Sequence, residues 1–140
     1  MNYQDLMQKH RNELDSIPMA YAFSKSQLNV ALDALDAKLN EVVSFGFGGI
    51  VKKTDQKALA GLFKRHEHEK NENMKEYEFA LSAFIYELDN HEYVYSQEVG
   101  DTLSSLNLSL DDIDKSPILK KALNDAIIHV KATAWLNSCD

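Results

Sequence analysis

The chain has 140 residues, with 15 basic and 22 acidic side chains and a formal charge of -7. Its 44% apolar and 26% charged content excludes collagen-like, low-complexity and acidic disordered chains, and the length suits a single globular domain over 1–140. The single Cys139 rules out a disulfide scaffold. The acidic balance argues against direct nucleic-acid binding.

With only 5 Gly and 2 Pro, the chain has few breakers and should be mostly helical. Tyr3, Leu6, Met7, His10 and Leu14 recur at helical spacing, so a short amphipathic helix is expected over 2–15. Pro18 ends it, because the residue before a proline disfavours helix. Met19 to Phe23 suit a short buried strand. Ser24 or Ser26 then caps a helix over about 26–39, with Leu28, Ala31, Leu32, Leu35 and Leu39 as its stripe.

Residues 41–53 change character. Val42, Val43, Phe45 and Phe47 favour strand, Gly48-Gly49 reads as a hairpin turn, and Ile50-Val51 begin the return strand. Thr54 caps a long helix whose later part, His66 to Lys75, is almost wholly polar and reads as a solvated extension or a break. Residues 75–90 are the most apolar helix. Tyr77, Ala80, Leu81, Phe84, Ile85 and Leu88 form one stripe, and Phe79, Ala83 and Tyr86 add a second apolar side. A short helix over 97–106 and a capped turn at Ser109 follow. Ser116-Pro117 marks the start of a last helix to about Leu136. The expected fold is α+β, a small antiparallel sheet of two or three strands packed against four or more helices.

The charge is unevenly spread. Residues 1–70 carry 10 basic and 9 acidic groups; residues 71–140 carry 5 and 13. No Lys or Arg lies between Lys75 and Lys115, an interval that holds ten acids. Such a stretch is a solvated, ion-paired face, a recognition surface for a basic partner, or a set of clustered carboxylates for a hard divalent cation. Tyr95, Glu98 and Asp101 are the candidate partner-binding residues within it.

The segment Tyr86-Glu-Leu-Asp-Asn-His-Glu-Tyr93 gathers polar groups at the end of the apolar helix. Glu87, Asn90, His91, Glu92 and Tyr93 are the candidate functional loop. His91 has the chemistry of a general base that Glu87 or Glu92 would orient. Equally, Asn90 and His91 have the chemistry of a helix C-cap.

Other motifs carry less. Asp112-x-Asp114-x-Ser116 begins like a calcium loop, but Pro117 and Leu123 stand where that loop needs Gly and Glu. His66-Glu67-His68-Glu69 lacks the four-residue His spacing of zinc peptidases and reads as a solvated helix face. His10 and His129 read as half-buried groups on helix stripes. Gly46-x-Gly48-Gly49 matches no phosphate loop. No metal, no cofactor and no catalytic residue is therefore assigned. The polar N-terminal segment does not read as a signal peptide. No stretch reaches the ~18 apolar residues a membrane helix needs, so a cytoplasmic location is expected.

Ile17-Pro18, Ala22-Phe23-Ser24, the Gly48-Gly49-Ile50 hairpin, Glu87-Leu-Asp-Asn-His-Glu-Tyr93 and Leu106-Asn-Leu-Ser-Leu-Asp-Asp112 together span about residues 15–130. In these phrases the chain resembles a family of small uncharacterised proteins from bacteriophages and bacterial mobile elements. The family's Leu-Gly-Leu reads Leu106-Asn107-Leu108 here. Asn tolerates the left-handed backbone that Gly favours, so the turn should survive. The resemblance implies a phage or mobile-element context and a cytoplasmic site of action, with no assigned activity.

Two functions compete. One is a non-enzymatic accessory protein that binds a protein partner through the acidic stretch. The other is a small enzyme or small-ligand binder centred on Asn90-His91-Glu92-Tyr93. Phe79, Tyr86, Ile128 and Trp135 lie off the main helical stripes and also raise a homodimer.

Overall fold

The computed structural model describes residues 1–139. They form eight α-helices and a three-stranded antiparallel sheet, the expected α+β class. The chain divides into two compact units, residues 9–68 and residues 1–8 with 69–140.

Within residues 9–68, β1 (Met19–Tyr21) and β2 (Val42–Gly46) flank the central β3 (Gly49–Lys52). Gly49, Ile50 and Val51 of β3 are all buried, as the middle strand of a small sheet must be. Strand β1 corrects the expectation of a buried strand. It is an edge, with Tyr21 55% and Phe23 75% exposed.

Helix α2 (Lys25–Leu35) packs Ala31 and Leu35 on Ile50. Ser24 is its N-cap and accepts from the Gln27 amide, while Gln27 Oε1 accepts from the Phe23 amide. The helix stops four residues before the expected end. Asp36 turns left-handed at φ 50°, and the Asp36 and Ala37 amides bond back to Asp33 and Leu32. Leu39 therefore leaves the stripe for a 3-10 turn, 64% exposed.

The hairpin turn lies one residue earlier than the glycine pair suggests. Gly46 pairs with Gly49, so Phe47 and Gly48 are the turn residues, at φ 53° and 76°. Two positive φ values suit the right-handed twist of a two-residue hairpin. A side chain on Gly48 would strike the Phe23 ring, only 2.5 Å from where a Cβ would stand. Thr54 is no cap; it sits inside a 3-10 turn before α3 (Gln56–Asn73). That helix continues through most of the polar stretch and ends at Asn73.

In the other unit, α4 (Tyr77–Asn90) packs along α8 (Pro117–Ser138). Ala80, Ala83, Ala122 and Ala126 are wholly buried, and these small side chains permit close helix approach. Phe84 and Leu88 fill the core. So does Phe79, which meets Tyr3 of α1 (Tyr3–Leu14) edge to face and offers nothing to a dimer. Ile128 and Trp135 remain about two-thirds exposed, at 66% and 65%. His129 is exposed rather than half-buried.

Three short helices join α4 to α8: α5 (Tyr93–Ser96), α6 (Gly100–Ser105) and α7 (Leu110–Lys115). Asn107 sits at φ 56°, and the Asn107 and Leu108 amides bond to Ser104 and Leu103. Asn107 thus makes the left-handed turn expected of it. Ser109 and Asp112 exchange hydrogen bonds as a capping box on α7, and Ser116 caps α8 ahead of Pro117.

At the α4–α8 contact, the Asp125 carboxylate accepts from Lys121 Nζ at 2.6 Å and from the Tyr77 hydroxyl at 2.5 Å. Lys121 first, then Tyr77, holds the Asp125 carboxyl below its ordinary pKa of 3.8.

Phe47 pays for a left-handed backbone with a side chain that is 97% exposed. Phe47→Asn, which gives the favoured Asn-Gly turn, should stabilise the protein by about 0.5–1 kcal/mol in urea unfolding. A carboxylate with a lowered folded pKa contributes stability above its unfolded pKa and loses it as pH falls. Asp125→Asn should therefore flatten the loss of thermal stability below about pH 4 and leave the slope from pH 6 to 8 unchanged.

Candidate functional site

Glu87 and His91 are four apart on α4 and its C-cap, so they share one face. Glu87 points inward and is 5% exposed. A buried carboxylate must be hydrogen-bonded, and three donors surround this one. Tyr3 Oη donates to Oε1 at 2.8 Å. His91 Nε2 stands 3.2 Å and Asn90 Nδ2 3.5 Å from Oε2. The buried Thr102 hydroxyl donates to the Glu87 carbonyl at 3.3 Å. Tyr3 is fixed again through its amide, which donates to Ser82 Oγ at 3.0 Å. Burial, and then the Glu87 hydrogen bond, pushes the Tyr3 phenol far above its ordinary value.

His91 Nε2 also lies 2.6 Å from Ser105 Oγ. Ser, His and Glu together invite comparison with a nucleophilic triad, but the bonding differs. In a triad the carboxylate and the hydroxyl face opposite ring nitrogens. Here both face Nε2. The Ser105 hydroxyl donates its one proton to the Asp101 carbonyl at 2.9 Å. Its oxygen is thus an acceptor toward His91, and Nε2 carries a proton. The cluster locks the end of α4 to α6.

The other loop residues separate. Tyr93 is buried at 7% beside Lys131 Nζ, 5.9 Å from its ring centre. Glu92 is exposed. Asn90 lines a cleft of about 540 Å³ with Asn2, Gln4, Ser82, Ile85, Tyr86 and Asp89; Glu87 and His91 do not reach it. Of the partner-binding candidates, Tyr95 is 87% exposed, and Glu98 and Asp101 are exposed too. Helix α5, which carries Tyr95, lies between two left-handed residues, Glu92 at φ 53° and Gln97 at φ 61°. Each costs about 1–2 kcal/mol for an L side chain. Neither was legible, since no Gly or Asn marks either position.

A further polar cluster was missed. His66 is 8% and His10 9% exposed, and their rings stack beside Glu13. The expected solvated face at 66–69 is thus corrected: His66 turns inward while His68 stays exposed. His10 and Glu13 signalled a shared face by their spacing, but nothing local linked them to a residue 53 positions away.

These features define a small α+β protein in which a buried Glu87 is bonded outward through the half-buried His91 to the exposed Ser105, beside an exposed acidic segment. Among the described residues, no helix is long and apolar enough to cross a membrane. The chain belongs to DUF7659, a family of unknown function whose model matches residues 2–129. No curated protein and no solved structure matches it.

Removing the Tyr3 hydroxyl leaves a buried carboxylate oxygen short of a donor. Tyr3→Phe should cost about 1–3 kcal/mol in urea unfolding. The raised phenol pKa means that this contribution holds below pH ~10 and is lost as pH rises further. Wild type and Tyr3→Phe should accordingly converge in stability only on the alkaline side.

Proposed function

We propose that the protein is a non-enzymatic accessory protein of phage or mobile-element context, acting in the cytoplasm by binding a protein partner. The single observation behind this reading is the presentation of Tyr95. It is 87% exposed, with Glu92, Glu98 and Asp101 also exposed in the same short segment. Its short helix is bounded by two left-handed residues. An exposed aromatic among acids suits a partner with a basic, partly apolar patch: the acids steer the encounter and the ring anchors it. The hydrogen bonding of Glu87, His91 and Ser105 favours a scaffolding role for the histidine over proton transfer.

A second reading rests on the cleft of about 540 Å³ at Asn90, which is large enough for a small polar ligand. Asp89, Asn90, Ser82 and Tyr86 would then supply its polar contacts.

Affinity capture from phage-infected and uninfected bacterial lysate, washed at low and high salt, separates the two. The binding reading expects one partner that is lost at high salt. It expects about tenfold weaker binding for Tyr95→Ala, and a larger loss when Glu92, Glu98 and Asp101 are reversed to Lys. Binding indifferent to both salt and these changes contradicts it.

A further inference from the structure

Three side chains converge within residues 9–68. His10 and Glu13 lie three apart on α1 and so share a face. His66 comes from α3. One ligand atom from each lies within 4.8 Å of the other two. The His10 and His66 rings stack with centroids 3.8 Å apart and planes 9° from parallel. The Nε2 atoms of both rings are buried.

Glu13 is divided between two tasks. Its Oε2 accepts from Arg65 Nη2 at 2.9 Å, which fixes the carboxylate plane. Its Oε1 is buried, makes no hydrogen bond, and stands 3.7 Å from His66 Nε2. A neutral imidazole keeps one nitrogen lone pair. The group therefore sets two nitrogen donors beside a carboxylate oxygen in a largely buried place.

We propose that His10, Glu13 and His66 form a binding site for a divalent transition metal of the zinc type. Two imidazoles and a monodentate carboxylate suit zinc, cobalt or nickel; magnesium and calcium call for an all-oxygen set. Tetrahedral coordination with bonds of about 2.1 Å needs ligand atoms roughly 3.4 Å apart. The His66–Glu13 separation of 3.7 Å is close to that. The two imidazole planes must open from their stack to share one ion, a movement that side-chain torsions supply. The Glu13 side chain is 28% exposed, so the cluster lies close to the surface.

The test uses the intact protein, treated with chelator and titrated with cobalt(II) alone. One equivalent should give the intense visible band of a tetrahedral site, and zinc should bleach it. His10→Ala and His66→Ala should abolish the band. Glu13→Gln should weaken binding at least tenfold, and the exposed His68→Ala should leave it unchanged. If the buried histidine variants unfold by circular dichroism, the partly exposed Glu13→Gln decides. Zinc should raise the melting temperature of wild type but not of that variant. Absence of a band at a hundredfold excess of cobalt overturns the site. In that case Glu13 and His66 share a proton rather than an ion. A band retained in Glu13→Gln and in folded His66→Ala, or lost in His68→Ala, overturns it equally, by placing the metal elsewhere.

Discussion

Glu87 brings a carboxylate into the core that holds Phe84, Leu88 and Leu103, and its surroundings are arranged to keep that group hydrogen-bonded. Taking a charge out of water is expensive, and leaving a buried carboxylate short of a hydrogen-bond donor costs about 1–3 kcal/mol. The donors come from distant parts of the chain: Tyr3 from the start of α1, and Asn90 and His91 from the end of α4. Thr102 and Ser105 of α6 close the group through the Glu87 carbonyl and the His91 ring. One buried acid thereby specifies where α1 begins on α4, where α4 ends and how α6 is seated. Apolar packing alone would leave these placements less sharply defined.

The same arrangement separates two kinds of residue that adjoin in sequence. Glu87 and Tyr93 face the core; Glu92 and Tyr95 face water. The short helix that carries Tyr93 and Tyr95 is bounded by left-handed backbone at Glu92 and Gln97, where L side chains are strained. Strain of this kind persists only where the surroundings over-determine it. Here the anchors are the buried Tyr93 on one side and the buried Thr102 and Leu103 on the other. A tyrosine carried on a helix rather than a loose loop binds at a smaller entropic cost, which is the energetic argument for the recognition role proposed for this segment.

Helical periodicity made α1, α4 and α8 legible, because their apolar stripes are long. Ser24, Ser109 and Ser116 signalled three helix starts through their capping chemistry. The failures have particular causes. The left-handed Asp36 ended α2 early, and no Gly marked it. Phe47 took a turn position expected of the Gly48-Gly49 pair, because strand register places the turn and residue preference only biases it. In the site, the Glu87–His91 spacing could be read from the helix alone. The Tyr3 and Ser105 contacts could not, since they join residues 84 and 14 positions away. The burial of His66 was hidden by its polar neighbours, which suggested water on every side.

The tautomer of His91 tests the central claim most directly, namely that the Glu-His-Ser cluster is a structural lock and not catalytic machinery. Long-range nitrogen–proton NMR on uniformly labelled protein near pH 8 reads it at once. The account predicts a proton on Nε2, slow to exchange, because both Glu87 and Ser105 accept from that nitrogen. A bare Nε2 with the proton on Nδ1 would contradict it. Ser105 would then donate to the imidazole as an activated hydroxyl does, and the loop would have to be reconsidered as an active site.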